Sequence, residues 1–341
     1  MRHSLIALFL SVCFSTTAQA QVQTFSWEGR DREYIVHEPT TCANPTSRPV
    51  LFFLHGLGDN IQRLEREFDF AGIANNWGWV VVMPQATDPS SIFGFDVGIG
   101  NMWNADLLPI FRVDDAGFLM ALLDHLTPTC HINPDSVFFT GFSMGGFMTH
   151  RMAIEHGDRI TAAVPFSGLI TTALADKEPV VPVRILIVHG TSDNVVCYDG
   201  STKTFPLPQL GISVEEGIQY WCKANHCNPE PAYEELPDFQ DDGLLFERYT
   251  YGGGEAEVQH LKVIGGTHTW YDDTNKYDLS YVDELHDFFI QNIIPDRLAA
   301  IPDKAPTGPM QIFTPEGKQA PRLSRGINII RQGGKIRKVV R

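Results

Sequence analysis

Positive charge is scarce in this chain. Against 41 Asp and Glu there are 26 Lys and Arg, a formal net charge of −15 over 341 residues. Such a surface repels polyphosphate and anionic lipid, which excludes nucleic acid and the membrane surface as partners. The cations present are unevenly spread: eight Lys or Arg follow Gly317, where there is no Asp or Glu. Long apolar runs are also few, and beyond residue 20 none has the length of a membrane-spanning helix. Cysteine and histidine nowhere stand at zinc-site spacing, so no metal is expected, and no cofactor either. What the chain does have is apolar content, at 43% enough for one large α/β domain or two modest ones.

Residues 1–20 read as a secretory signal: Arg2, an apolar run over 5–14, then Ala18-Gln19-Ala20 as the small-x-small cleavage site. A lipoprotein signal through Cys13 is disfavoured by the bulk of Val12 just before it. With Cys13 removed, Cys42, Cys130, Cys197, Cys222 and Cys227 remain. An oxidising compartment favours bridges. Cys222 and Cys227 close a short loop and are the favoured pair, and Cys42–Cys130 follows if Cys197 is the odd thiol. Other pairings, or five buried thiols, stay open.

The organising stretch is residues 133–146, NPDSVFFTGFSMGG. Residues 137–140 are apolar and β-branched, the pattern of a strand buried on both faces. Gly141-Phe142-Ser143-Met144-Gly145-Gly146 follows, then apolar residues at helical spacing. Strand, tight Gly-x-Ser-x-Gly turn and helix together lift the Ser143 hydroxyl above a sheet, at the positive end of the helix. A serine in such a turn still needs a base, an orienting acid and an oxyanion hole.

Along the chain, residues 24–39 read as an antiparallel hairpin turning at Glu28-Gly29-Arg30-Asp31. Buried strands are expected at 49–54, 79–84, 160–167 and 183–188, with further strands at 244–251 and 258–264. Helices are expected at 61–73, 113–126, 214–224 and 283–293. A long loop over 86–107 carries Phe93, Phe95 and Trp103; a loop of that length with such rings reads as functional. The alternation predicts an α/β fold of the α/β-hydrolase kind: a doubly wound, mostly parallel sheet with an N-terminal antiparallel hairpin. Ligand sites in such sheets lie at the carboxyl ends of the strands.

Three strands end in chemically apt residues, in the order Ser143, Asp193, His268. Ser-acid-His is the chain order of α/β-hydrolases. Ser143 is expected to attack a carbonyl while His268 takes its proton, with Asp193 fixing the imidazole tautomer. Backbone amides of Leu57, in His55-Gly56-Leu57-Gly58, and of Met144 are the expected oxyanion donors. His55 and His189 also end strands, but each precedes a glycine, where holding the turn is the expected role.

Taken as a set, five segments stand in order: His55-Gly56-Leu57-Gly58, Val113-Asp114-Asp115-Ala116-Gly117-Phe118, Gly141-Phe142-Ser143-Met144-Gly145-Gly146, His189-Gly190-Thr191-Ser192-Asp193 and Gly266-Thr267-His268-Thr269-Trp270. Over about 25–294 the chain resembles the secreted feruloyl esterases, acetylxylan esterases and polyhydroxybutyrate depolymerases of carbohydrate esterase family one and its relatives. The resemblance implies the same triad and the same two oxyanion amides. It departs at Met144, where Asn is common, and at Cys197, where proline often follows the acid loop. Phe95, Trp103 and Trp270 are candidates for an aromatic wall against a feruloyl ring or a sugar face.

Residues 297–309 read as a linker after a catalytic domain over 21–296. The basic segment 310–341 has apolar runs at 312–313, 327–330 and 339–340 and suggests a small β-unit. It resembles the end of type IX secretion sorting domains, a plain basic tail being the alternative, and the resemblance implies contact with secretion machinery. The reading is a secreted serine carboxylesterase acting on feruloylated or otherwise acylated plant polysaccharide. Acetylxylan esterase and polyhydroxybutyrate depolymerase-like esterase are its near alternatives. A prolyl-oligopeptidase-type peptidase and a non-catalytic binding module are the rivals from other classes.

Overall fold

A computed structural model describes residues 21–41, 43–204, 207, 209–293, and the strand segments 311–313, 319–320, 327–332 and 335–340. The chain divides into two compact units, Met1–Ile293 and Ile294–Arg341.

The first unit opens with strands β1 (Gln23–Trp27) and β2 (Arg30–His37), paired antiparallel in register Gln23 to Tyr34. Glu28 and Gly29 between them both have positive φ, 49° and 73°, the backbone that lets a two-residue turn follow the strand twist. Next come β3 (Arg48–Leu54) and β4 (Val80–Pro84), apolar runs buried almost throughout. The helical spacing over 61–73 becomes two helices rather than one: α1 (Ile61–Glu67) and α2 (Phe70–Trp77). The break falls at Asp69, whose carboxylate accepts the Gly72 N–H and so caps a new helix start.

After a short helix α3 (Ser90–Phe93) comes α4 (Asp115–Cys130), capped by Asp114, then β5 (Ile132–Phe142) and α5 (Met144–Glu155). Strands β6 (Ala162–Phe166) and β7 (Arg184–Gly190) flank a short α6 (Thr172–Ala175). Helix α7 (Val214–Ala224) starts at a capping box between Ser213 and Glu216. Strand β8 (Ala232–Glu235), exposed and polar, has no apolar pattern to announce it. Strands β9 (Leu245–Tyr251) and β10 (Val258–Ile264) and helix α8 (Tyr281–Ile290) complete the unit.

The ten strands form one sheet in the order β1-β2-β4-β3-β5-β6-β7-β10-β9-β8. From β4 through β10 neighbours run parallel, while β1, β2, β9 and β8 add antiparallel edges. Two core layers cover the faces. Phe52 and Phe139 stack at 4.7 Å in one, and Trp79 on Phe138 at 4.8 Å in the other. This is the α/β-hydrolase architecture, a mostly parallel sheet with an N-terminal antiparallel pair.

Among its described residues the second unit contains four strands, β11 (Gln311–Phe313), β12 (Gln319–Ala320), β13 (Ile327–Gln332) and β14 (Lys335–Val340). They form an antiparallel sheet in the order β12-β11-β13-β14, and the apolar runs at 312–313, 327–330 and 339–340 all fall within strands. The signal at 1–20 and the linker at 297–309 lie outside the described residues.

The favoured Cys222–Cys227 bridge is not formed in this structure. Cys222 and Cys227 are unbridged thiols, with the Cys227 N–H donating to the Cys222 carbonyl at 2.9 Å. The two side chains still meet in a hydrogen bond, and Cys227 Sγ also donates to the Ala256 carbonyl, 3.2 Å away. Cys130 and Cys197 are buried and free, and Cys42 lies outside the described residues. Apolar burial pushes the Cys130 thiol pKa up, which keeps it protonated and unreactive.

Candidate active site

Ser143 follows directly on β5 and starts α5, with φ 56° and ψ −120°. A non-glycine residue at such a φ is strained. Two backbone bonds hold it there: its N–H donates to Phe166 O on β6 at 2.9 Å, and its carbonyl accepts the Phe147 N–H at 3.0 Å. The flanking glycines are dictated by neighbouring backbone. A Cβ at Gly141 would sit 2.5 Å from the Gly145 carbonyl carbon, and one at Gly145 would run into Leu54 O on β3.

Asp193 stands three residues beyond β7 and His268 four beyond β10, strands that pair in parallel. The sheet thereby brings 75 residues of sequence separation down to one hydrogen bond: His268 Nδ1 lies 2.6 Å from Asp193 Oδ2. The other oxygen, Oδ1, accepts the N–H groups of Val195 at 2.8 Å and Val196 at 2.9 Å. Asp193 is buried and both its oxygens are engaged, so the carboxylate cannot rotate away from the ring. His268 in turn packs on Phe142, ring centroids 4.8 Å apart.

Ser143 and His268 line one cavity of about 350 Å³, together with Leu57, Phe142 and Trp270. Among the described residues no hydrogen bond joins Ser143 Oγ to the imidazole in this conformation; such bonds often tighten only when substrate is bound. Both expected oxyanion amides belong to this neighbourhood. Met144 is the first residue of α5, and Leu57 follows β3 in a loop whose Gly58 N–H donates to Asn101 O at 2.8 Å.

His55 holds that loop in place. Its Nδ1 donates to the Gly56 carbonyl at 2.7 Å, so the other nitrogen accepts, taking the Ala86 N–H at 3.1 Å. Burial lowers its pKa to about 4, which keeps this neutral tautomer across the physiological range. His189 behaves likewise: fully buried, its pKa depressed by desolvation, it bonds the Val196 carbonyl at 2.8 Å beside the Asp193 loop. Both rings hold turns.

The aromatic wall is placed only in part. Trp270 lines the cavity, packed between Phe166 and Phe53. Trp103 does not: it is 1% exposed, and its indole N–H donates to the His55 carbonyl at 3.0 Å. A buried indole needs an acceptor, and the end of β3 supplies it. Phe95 is 65% exposed, 6.1 Å from Phe93, and lines neither cavity that touches Ser143. The sequence reading missed Asp59, Arg63 and Glu67, which form the charged rim, with Arg63 Nε 2.8 Å from Glu67 Oε1. Their i, i+4 spacing, from just before α1 to its last residue, reads as an ordinary solvated face.

Among the described residues there is no group of three or more His, Cys, Asp or Glu suited to a metal ion. No described helix is long and apolar enough to cross a membrane.

Comparison with known proteins agrees with this architecture. A family model described as "Dienelactone hydrolase family" matches residues 112–206, the stretch carrying Ser143 and Asp193. "Putative esterase NocK" of Nocardia uniformis subsp. tsuyamanensis is 29% identical over 257 residues, 71% of each chain. "Feruloyl esterase B" of Piromyces equi is 27% identical over 243 residues, 70% of this chain but 42% of that protein's length. Among solved structures, acetyl xylan esterase from Aspergillus awamori superposes with a TM-score of 0.54 at 16% identity, covering 79% of this chain and 98% of that one. With its elbow serine on an α/β-hydrolase sheet and esterases as its relatives, the chain is a serine hydrolase of the carboxylic-ester class.

Proposed function

We propose that the protein is a secreted esterase that removes feruloyl or related acyl groups from plant cell-wall polysaccharide through a Ser143–His268–Asp193 triad. The observation that carries the mechanism is the hydrogen bond from the buried Asp193 to His268, together with a serine strained into a strand-to-helix turn. Ser143 Oγ attacks the ester carbonyl while His268 Nε2 takes its proton. Asp193 remains ionised and stabilises the imidazolium. The oxyanion is held by the amides of Leu57 and Met144, the latter at the positive end of α5. His268 then returns the proton to the alcohol oxygen, and water repeats the cycle on the acyl-enzyme.

Support for a saccharide alcohol comes from the surface beyond the triad. The His268 cavity shares Glu67, Phe68 and Trp270 with a neighbouring cavity of about 470 Å³ lined by Asp69, Asp272, Asp273 and Tyr277. Carboxylates beside aromatic faces suit the hydroxyls and the apolar face of a sugar chain. The similarity to a feruloyl esterase supports the acyl class. Export rests on the signal read at 1–20, and the β-unit after 310 is proposed as the sorting segment.

The test is Ser143→Ala, assayed on p-nitrophenyl acetate, methyl ferulate and acetylated xylan. A loss of at least a thousandfold on each accepted substrate is expected. Retention of most p-nitrophenyl acetate hydrolysis would overturn the triad. Release of neither ferulate nor acetate by the unmodified enzyme would overturn the substrate class.

A further inference from the structure

Ser143 stands where two cavities meet, and the two differ in chemistry. The one described above holds His268 and a charged rim. The other, about 240 Å³, shares Leu57 and Ser143 with it but not the imidazole. Its walls come from distant parts of the chain, among them Ile99 of the long loop, Leu108 just beyond it, Phe147 of α5, and Leu210. Apart from Ser143, every side chain lining it is a hydrocarbon or a thioether. At this volume it falls below the ~300–1,000 Å³ of sites that enclose a whole drug-sized ligand. It holds one fragment of a substrate.

Which fragment follows from the proton. The alcohol oxygen must come within reach of His268 to be protonated as it leaves, so the alcohol side occupies the cavity that contains the imidazole. The acyl side leaves the same carbonyl carbon in another direction. Resting on the triad proposed above, we infer that the apolar cavity is the acyl site, and that it selects an acyl group presenting carbon rather than free hydroxyl. An O-methylated arylpropenoyl group or a medium alkanoyl chain meets that requirement. Acetyl leaves the walls uncovered. A dihydroxycinnamoyl group brings two donors to a lining that offers no side-chain acceptor beyond Ser143 itself. Each methylene buried is worth about fourfold in affinity, and a hydroxyl left without a partner costs on the order of tenfold.

The experiment uses the purified full chain and two substrate series. Across p-nitrophenyl acetate, butyrate and hexanoate, kcat/KM is expected to rise, by about tenfold or more overall. Across methyl 3,4-dimethoxycinnamate, ferulate and caffeate it is expected to fall, with caffeate on the order of tenfold below the dimethoxy ester. Leu108→Trp, at a half-buried wall position, should cut the hexanoate-to-acetate ratio at least tenfold. Acetate turning over as fast as hexanoate, or caffeate as fast as the dimethoxy ester, overturns the inference, and neither measurement needs a variant to fold. Ser143→Ala separates the two readings. If it abolishes all rates while the series come out flat, the triad stands and the acyl site alone fails.

Discussion

At the scale of single residues, Asp193 is the most constrained group in the site. One oxygen takes two backbone amides and the other takes the imidazole. Asp193→Asn keeps the shape but presents an amide where a carboxylate accepted, so the ring loses its tautomer and its countercharge. A fall in kcat of roughly 10³–10⁴ is expected, with KM little changed. Steady-state kinetics on p-nitrophenyl acetate check it, and a loss below tenfold would remove Asp193 from the triad. His55 is a second test. His55→Ala deletes the contacts that tie the Leu57 loop to Gly56 and Ala86. Because an oxyanion donor is worth about 2.7–4 kcal/mol of transition-state stabilisation, displacing that loop should lower kcat more than it raises KM.

At the scale of elements, two features hold the site rigid. The first is the turn from β5 into α5. Gly145→Ala would drive a Cβ into the Leu54 carbonyl, and the clash is with backbone, which cannot rotate aside. Destabilisation at or above the upper end of ~1–3 kcal/mol is expected, read as a lower midpoint in urea. The second is the long loop over 86–107. Asp115, fully buried at the start of α4, pairs with Arg32 at 2.7 Å and accepts the Asn104 N–H at 2.7 Å. Arg151 of α5 grips the Asn104 carbonyl from the other side. Asp115→Ala leaves Arg32 buried and uncompensated, which should cost about 3–5 kcal/mol. A urea midpoint unchanged by that substitution would show that the loop is held by other contacts.

At the scale of the whole molecule, four buried imidazoles make stability depend on pH. Burial lowers His55 to about 4, His150 and His260 to about 3, and His189 below its ordinary value. The unfolded rings titrate near ~6.5. Below that pH the unfolded chain binds protons that the folded chain refuses, so stability falls as the solution is acidified. It is complete above pH ~6.5 and lost progressively toward pH ~3, the folded value of the lowest rings. Asp115, Asp272 and Glu284, raised by burial, oppose the trend, but they are outnumbered in the upper part of that window. Tm should therefore drop between pH 7.5 and pH 5 in a calorimetric scan. An unchanged Tm would mean that one or more of these rings takes up a proton while folded.

Much of this architecture was legible from residues close together in sequence. Strand β10 and helix α7 stand where the apolar pattern puts them, because period and capping are local properties. The elbow was legible for the same reason, since its turn chemistry lies within six residues. Strand β8 was not, as an exposed edge strand buries no apolar face. The single helix expected over 61–73 divided at Asp69 because a capping carboxylate outweighed the apolar spacing.

By itself, then, the chain of residues determined the alternation of strands and helices, the serine turn and the succession of serine, acid and histidine, each written in short-range patterns. The tertiary structure alone decided which rings face the cavity, that Trp103 turns its indole to a strand-end carbonyl, and that a mixed and a wholly apolar cavity meet at Ser143. Those facts depend on segments distant in sequence, 48 residues apart for Trp103 and His55, being pressed together. No local pattern encodes how side chains from such distant segments divide the space between them.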